Sequence, residues 1–293
     1  MLIYKPSSGH RNTAFRAIVD IWQFRGYCDV EITNEKQVWV GGVGEVLLYD
    51  LDHWRYLPKS WKLGLFANVQ HSHGLPWTYF ARSPKTVERL RNQNVQGFDG
   101  RSIGVFFCGS VENYRQLYWR GLKRWSKVLD QFLMPIYHKR GLYDKVAYLE
   151  QVKAARYGLC LRGNGPKCSR EIELMAFGTV PIFGPGVGTE YFNKLIEGVH
   201  YIRAESPAVL RDRVAAIGPG EWAAMSAAGR QWYEENASPD GCFRLTQKIL
   251  EDYAGSGVAG VENSQTLGWL LASYADRPLY AIDRVLGGIR KIV

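Results

Sequence analysis

The residues of this chain best suited to bind a charged ligand follow the apolar segment Tyr157–Leu161, whose composition predicts a buried strand. Arg162, Lys167 and Arg170 place three positive charges in the glycine-containing loop after that strand and at the start of the next segment. That segment has helical spacing, and Ser169 is a residue type expected as its N-cap. The free amides and the dipole at a helix N-terminus favour an anion, and ligands of open α/β sheets bind beyond the carboxyl ends of the strands. The spacing therefore predicts a diphosphate site, in which arginine binds bidentately and lysine acts as a point charge.

Two carboxylates in the same predicted helix, Glu171 and Glu173, have to be considered separately. Because they are two positions apart, they point to different faces, so only one of them can face the ligand. A carboxylate is repelled by a diphosphate and is better placed against neutral hydroxyls, such as those of a nucleotide ribose. The alternative for the whole segment is a surface loop followed by a salt-bridged helix start.

Short apolar runs alternate with segments of helical spacing along most of the chain. The predicted strands are residues 1–4, 29–32, 38–40, 46–49, 63–69, 103–108, 157–161, 179–183 and 200–203. The predicted helices are residues 11–24, 146–155, 170–177, 207–217, 220–235 and 245–253. This alternation predicts an α/β fold, with parallel strands and helices on both faces of the sheet.

The length of 293 residues favours two domains. A polar and aromatic stretch near residues 109–123 separates two halves rich in strands and helices, so the domains are predicted at 1–115 and 116–255. Residues 255–263 form a linker of small residues. Residues 256–293 are then predicted as a C-terminal helical arm that packs on the body.

The composition is that of a folded protein with a surplus of positive charge. Hydrophobic residues make up 46% and charged residues 22%, and the net charge of +9 favours anionic partners such as phosphates, nucleic acid or a membrane surface. No apolar run approaches the roughly 18 residues of a spanning helix, and the N-terminus lacks the apolar stretch of a signal peptide. Five cysteines, an odd number without tight spacing, indicate reduced thiols. A cytoplasmic protein is therefore expected.

A wider pattern surrounds the predicted anion site. It consists of Leu159, Arg162, Gly163, Arg170, Glu173, Gly178, Thr179, Val180, Pro181 and Ile182. Upstream, the apolar run Phe106–Gly109 is followed by Arg115, and Glu197–Tyr201 and Tyr233–Asn236 follow downstream. As a set, these residues resemble the donor-binding half of exostosin-type glycosyltransferases, which have the GT-B fold. The resemblance covers about residues 103–249, roughly half of the chain.

The resemblance implies two Rossmann-like domains with a deep cleft between them. It implies a metal-independent transfer of a sugar from a UDP- or GDP-linked donor to a glycan or another hydroxyl-bearing acceptor. The donor diphosphate would be bound by Arg162, Lys167 and Arg170, and the nucleotide ribose by Glu173. Gly109 and Arg115 would lie near the cleft.

If the transfer inverts the anomeric centre, a general base must deprotonate the acceptor. This base is expected from the N-terminal half, across the cleft from the donor. His10, in a turn after the first strand, and Asp50 and Asp52, which follow another apolar strand, are the catalytic candidates.

Asp50 and Asp52 also permit a different hypothesis. An apolar strand that ends in Asp-x-Asp resembles the metal and nucleotide signature of GT-A glycosyltransferases. In that case the two carboxylates would hold a divalent ion that neutralises the diphosphate.

A non-enzymatic alternative is a basic nucleic-acid-binding protein. Many aromatic residues of the chain, among them Trp54, Trp61 and Trp119, are interspersed with lysines and arginines. Such rings stack on sugars, but they also stack on nucleic-acid bases. Nucleic acid is therefore a candidate partner, either as a bound ligand or as the acceptor of a glycosyltransferase.

Overall fold

The structure is a computed structural model that describes residues 1–6, 13–33, 38–40, 46–49, 63–67, 75–93, 96–109, 134–137, 144–161 and 166–255. These ranges form a mixed α/β fold with two separate sheets. The predicted fold class is confirmed at this level. Residues 256–293, predicted as a helical arm, lie outside the described residues.

The first sheet is built from the N-terminal part of the chain. Its described strands are β1 (Leu2–Pro6), β2 (Asp29–Thr33), β3 (Val38–Val40), β4 (Val46–Tyr49), β5 (Leu63–Phe66) and β6 (Leu75–Pro76). They are arranged in the order β2-β1-β3-β4-β5-β6, and β3 runs antiparallel to both of its neighbours while the other pairs are parallel. Helix α1 (Thr13–Phe24) connects the parallel strands β1 and β2. Two consecutive parallel strands cannot be joined by a tight turn, so the chain returns to the start of the sheet through a crossover helix.

The second sheet is entirely parallel in the described residues. Its strands are β7 (Ile103–Gly109), β8 (Met134–Tyr137), β9 (Ala155–Cys160), β10 (Val180–Phe183) and β11 (Ile202–Arg203). The spatial order is β8-β7-β9-β10-β11, so the chain starts in β7, goes to one side for β8 and to the other side for all later strands. The order of this sheet therefore reverses between β7 and β9. Open α/β sheets bind their ligands at such a switch point, outside the carboxyl ends of the strands.

Both faces of the second sheet are buried, as expected for parallel strands. Along β7, Phe106 and Cys108 face one apolar cluster, while Val105 and Phe107 face another. The helices that cover the sheet have the following bounds. They are α2 (Pro84–Arg91), α3 (Lys145–Ala154), α4 (Ser169–Ala176), α5 (Pro207–Ala216) and α6 (Pro219–Asn236).

Helix α4, which carries the predicted site, is fixed at both ends. Its N-cap is Cys168, whose backbone amide donates to the Glu171 carboxylate at 2.9 Å. At its C-terminus, Gly178 has a left-handed conformation (φ +66°), and the amide of Thr179 donates to the carbonyl of Leu174. The prediction of Ser169 as N-cap was therefore wrong by one residue. A thiol takes that place because Glu171 supplies the capping carboxylate.

The last described helix, α7 (Pro239–Gly255), returns to the first sheet. Its residues Cys242, Phe243, Leu245 and Ile249 belong to the same buried cluster as Ile3, Phe15 and Trp22 of β1 and α1. The Trp22 indole donates to the carbonyl of Pro239 at 2.6 Å. The core of the first half is therefore completed by the C-terminal end of the described chain.

Three described elements were missed by the sequence patterns, namely α2, β6 and β8. Helix α2 begins at Pro84 after Ser83, and this pair is a helix-start signal. The helix was missed because it has only eight residues, half of them charged, and therefore shows little apolar periodicity. The boundary predicted after residue 115 assigns β7 to the N-terminal domain. In the structure, β7 pairs with β8 and β9 and therefore belongs to the second sheet. The division into domains at 115 and 255 itself stays a prediction.

Candidate functional site

The switch point of the second sheet is occupied by the side chain of Arg170. Its guanidinium donates a hydrogen bond to the carbonyl of Cys108 at 2.7 Å, near the carboxyl end of β7. It also lies 4.8 Å from the centre of the Phe107 ring. Arg170 is the second residue of α4, which starts soon after β9. The short connection between β9 and α4 therefore delivers a permanent positive charge to the place where open α/β sheets bind ligands.

Arg170 lines a cavity of about 160 Å³. The cavity is formed by the carboxyl end of β7 and by the first residues of three helices, α2, α3 and α4. The three helices also contact one another in pairs.

Three helix N-termini therefore face one space. The lining includes Ser83 before α2, Asp144 and Lys145 at the start of α3, and Cys168 and Ser169 at the start of α4. Each N-terminus carries the equivalent of about half a positive charge. The lining also contains three basic side chains, Arg82, Lys145 and Arg170, against the carboxyl groups of Asp144 and Glu173, which leaves one more basic than acidic side chain. The summed field favours an anion inside the cavity.

Glu173 is the buried carboxylate in this cavity, with 5% of its surface exposed. It accepts hydrogen bonds from the backbone amide of Arg82 at 2.9 Å and from the Tyr148 hydroxyl. Burial raises the pKa of Glu173 above its ordinary value, although these two hydrogen bonds and the nearby Arg82 and Arg170 charges oppose the shift. A carboxylate has about four acceptor positions, so Glu173 keeps capacity for a further donor.

Glu171 has a structural role. Its carboxylate accepts from the amide of Cys168, and the thiol of Cys168 lies 3.4 Å from the same carboxylate. The bond from the Cys168 amide is one half of the capping box of α4, and in the other half the Cys168 thiol accepts from the backbone amide of Glu171. The prediction that Glu171 and Glu173 serve different faces is confirmed by this arrangement.

Lys167 occupies a separate environment. Its ammonium donates to the carbonyl of Glu190 and lies 4.4 Å from the centre of the Tyr191 ring. Desolvation by burial lowers the pKa of Lys167 to about 8, against the opposing influence of Glu190 and Glu171. Lys167 is not among the residues that line the described cavity, so the structure does not bring it together with Arg170 there.

Most of the other predicted site residues lie in parts of the chain that the structure does not describe. His10, Asp50, Asp52, Arg115 and Arg162 lie outside the described residues, and their roles stay predictions. Gly109 is the last residue of β7 and follows directly on Cys108, whose carbonyl receives the Arg170 hydrogen bond.

Arg82, Ser83 and Tyr148 belong to the cavity but were not found from the sequence. They come from α2 and α3, and only the strand order brings those helices next to α4. The available signal was the Ser83–Pro84 pair, which marks a helix start and hence a second set of free amides.

The described residues offer neither a metal cluster nor a membrane-spanning helix. They contain no group of three or more histidine, cysteine, aspartate or glutamate side chains that could hold a metal ion. Within the same ranges, none of the helices combines the length and the apolarity needed to cross a bilayer.

Comparison with known proteins gives little support for an assignment. The chain matches no protein-family model, and no curated protein is significantly similar to it. Among solved structures it is similar to the N-terminal domain of trehalose-6-phosphate phosphatase from Candida albicans, at 12% identity and a TM-score of 0.41, over 61% of this chain and 49% of the other.

It is also similar to a glycosyltransferase from Rickettsia africae ESF-5, at 11% identity and a TM-score of 0.35, over 84% of this chain and 54% of the other. The chain thus spans about half the length of both structures. Both TM-scores are below 0.5, so neither structure assigns a function to this chain.

Proposed function

We propose that this protein is a glycosyltransferase that moves a sugar from a UDP- or GDP-linked donor to an acceptor hydroxyl without a metal ion. The observation that carries the proposal is the position of Arg170, at the switch point of a parallel sheet and in a cavity bordered by three helix N-termini. This combination suits the diphosphate of the donor.

The size of the cavity indicates which part of the donor it would hold. Pockets for complete small ligands usually measure about 300–1,000 Å³, whereas this cavity has about 160 Å³. We therefore place the phosphoryl groups inside it, with the transferred sugar and the nucleobase extending beyond the described lining. Glu173 would accept a hydrogen bond from a ribose hydroxyl, because a neutral donor avoids repulsion between its carboxylate and the diphosphate.

The proposed reaction breaks the bond between the anomeric carbon and the diphosphate oxygen and forms a bond to the acceptor oxygen. Negative charge grows on the leaving diphosphate, and preorganised positive groups stabilise it without rearranging. Arg170 and the helix N-termini would supply this stabilisation, together with Arg162 as a further proposed cation.

The acceptor is proposed to bind in a cleft near Gly109 and Arg115. Its proton would pass to a general base from the N-terminal half, with His10, Asp50 and Asp52 as the candidates. The acceptor itself is proposed to be a glycan or another hydroxyl-bearing molecule, including nucleic acid.

Titration calorimetry with UDP and GDP tests the donor site, in the presence and absence of EDTA. We expect binding that EDTA does not change, and at least a tenfold loss of affinity in Arg170→Ala, because a charge-assisted bidentate contact contributes about 1.5–3 kcal/mol. Arg203→Ala is a matched control, since the Arg203 guanidinium also contacts a backbone carbonyl and an aromatic ring, at Val187 and Tyr201.

Two results would contradict the proposal. One is the absence of binding of either nucleotide to the wild type, and the other is an Arg170→Ala variant that binds as tightly as Arg203→Ala. A loss of binding on addition of EDTA would overturn metal independence alone. An assay for hydrolysis of a nucleotide sugar, or for transfer of its sugar to an acceptor, then distinguishes an enzyme from a protein that only binds nucleotides.

A further inference from the structure

The hydroxyl of Ser83 is not used by the fold. Its oxygen is buried and has no hydrogen-bond partner among the described residues, although Ser83 directly precedes helix α2. Ser83 is a strongly preferred residue type at this position, yet its side chain forms no capping bond. A buried hydroxyl without a partner is costly, because it has lost its bonds to water and gained nothing in return.

Other helices of the same molecule use their N-cap side chains in the ordinary way. The Ser206 hydroxyl accepts from the amide of Val209 at the start of α5, and the Asp144 carboxylate accepts from the amide of Ala147 at the start of α3. Ser83 therefore differs from Ser206 in its hydrogen bonding, although both residues precede a helix that begins with proline.

The position of Ser83 suggests a use for this hydroxyl. Ser83 lines the same cavity as Arg170, and the preceding residue, Arg82, holds the Glu173 carboxylate through its backbone amide. The rim of the cavity at α2 thus has a fixed backbone and an uncommitted donor, whose buried oxygen would reach the cavity by rotation about the Cα–Cβ bond of Ser83.

We propose that Ser83 is a ligand-binding residue whose hydroxyl donates a hydrogen bond to a phosphoryl oxygen held by Arg170. This inference rests on the proposed function and adds a contact from α2 to a site that the sequence assigned to the strand β9–helix α4 unit. The hydroxyl gives the site a directed donor beside the long-range attraction of the charges.

Calorimetry and thermal unfolding of Ser83→Ala and Ser206→Ala test this inference, with UDP and inorganic pyrophosphate as the probes. We expect Ser83→Ala to bind both probes about tenfold more weakly than the wild type, because it loses a hydrogen bond to a charged group. Its melting temperature without ligand should equal or exceed that of the wild type, since an unpartnered buried hydroxyl is removed.

Ser206→Ala should show the opposite behaviour. It should bind both probes with unchanged affinity and melt about 2 °C lower, because it loses a working cap. Ser83→Ala with unchanged affinity, or with the lowered melting temperature of a lost cap, would overturn the inference while leaving the proposed function in place. A wild type that binds neither probe overturns both.

Discussion

At the scale of single residues, we expect the charge of Glu173 to determine how strongly the cavity attracts an anion. It is buried among positive groups and accepts hydrogen bonds from Arg82 and Tyr148. Ionised, it offsets the field of Arg170 and the helix ends; protonated, it leaves that field intact. We therefore expect the protonation state of this carboxyl group to change the affinity of the cavity for an anion.

The raised pKa of Glu173 gives this control a direction in pH. Because the native carboxyl keeps its proton above the ordinary value of 4.5, lowering the pH through the raised pKa removes a negative charge from the cavity. Sulfate is a suitable probe, since it keeps its double charge over this range. We expect the affinity of the wild type for sulfate to rise roughly tenfold as the pH falls from 7 toward 4.5.

Glu173→Gln should abolish this pH dependence and bind sulfate at pH 7 at least as tightly as the wild type. Isothermal titration over the pH series measures both effects. Glu205→Gln, which removes an exposed carboxylate elsewhere, should keep the pH dependence of the wild type. Persistence of that dependence in Glu173→Gln would show that another group causes it.

At the scale of elements, the connection between α6 and α7 depends on Gly241. Helix α6 ends at Asn236, and Ser238 then caps α7 by accepting from the amide of Gly241 at 3.0 Å. A Cβ atom on Gly241 would lie 2.7–2.8 Å from the carbonyl group of Glu235 and even closer to the carbonyl oxygen of Glu234. Backbone atoms cannot move aside as a flexible side chain can, so the two helices require glycine here.

Gly241→Ala should therefore lower the free energy of unfolding by about 3 kcal/mol, in the upper range for overpacked sites. Gly220→Ala provides the matched control in the same pair of helices. Nothing lies within 4 Å of the corresponding position at Gly220, and alanine has the higher helix propensity, so this variant should be as stable as the wild type or slightly more stable. Urea unfolding measures both values, and equal stabilities of the two variants would contradict the requirement.

The sequence predicted the elements whose own residues set their pattern. Helix α1 follows from the spacing of Phe15, Ile18 and Trp22, which the structure buries on one face. The unit β9–α4–β10 followed from the same kind of local pattern, whereas the choice of Glu173 over Glu171 came from the family resemblance. These features depend on periodicity, which is visible along the chain.

The remainder of the site depends on contacts between distant segments. Ser83 and Tyr148 reach the cavity because the strand order places α2 and α3 beside α4, and no local pattern contains that order. The start of α7 was predicted six residues late for a related reason. Its first turn is stabilised by burial of Cys242 and Phe243 against α1 and β1 rather than by its own periodicity.

At the scale of the whole molecule, α7 connects the two halves of the described structure. Phe243 stacks on Tyr27 at 4.8 Å and packs edge-on against Trp22 at 5.4 Å, and α7 also packs on α6. The first half therefore shares a continuous set of contacts with the second half. We infer that the two halves unfold together.

Phe243→Ala tests this coupling. Removing a buried phenylalanine should cost about 3–5 kcal/mol. Hydrogen exchange should then show a similar loss of protection for the slowest amides of β1 and of β9, which lie in different sheets. Val209→Ala, at a partly exposed site on α5, should leave both sets of amides unchanged. A loss of protection confined to α7 and β1 would indicate that the halves unfold independently.

The return of α7 to the first sheet has a consequence for synthesis on the ribosome. The partners of Ile3 and Phe15 include Cys242 and Phe243, which are translated more than two hundred residues later. At about 5–20 residues per second, the nascent chain waits on the order of ten seconds or more before this apolar surface can be covered. Codon changes that slow translation between α1 and α7 are therefore expected to increase aggregation of the newly made chain.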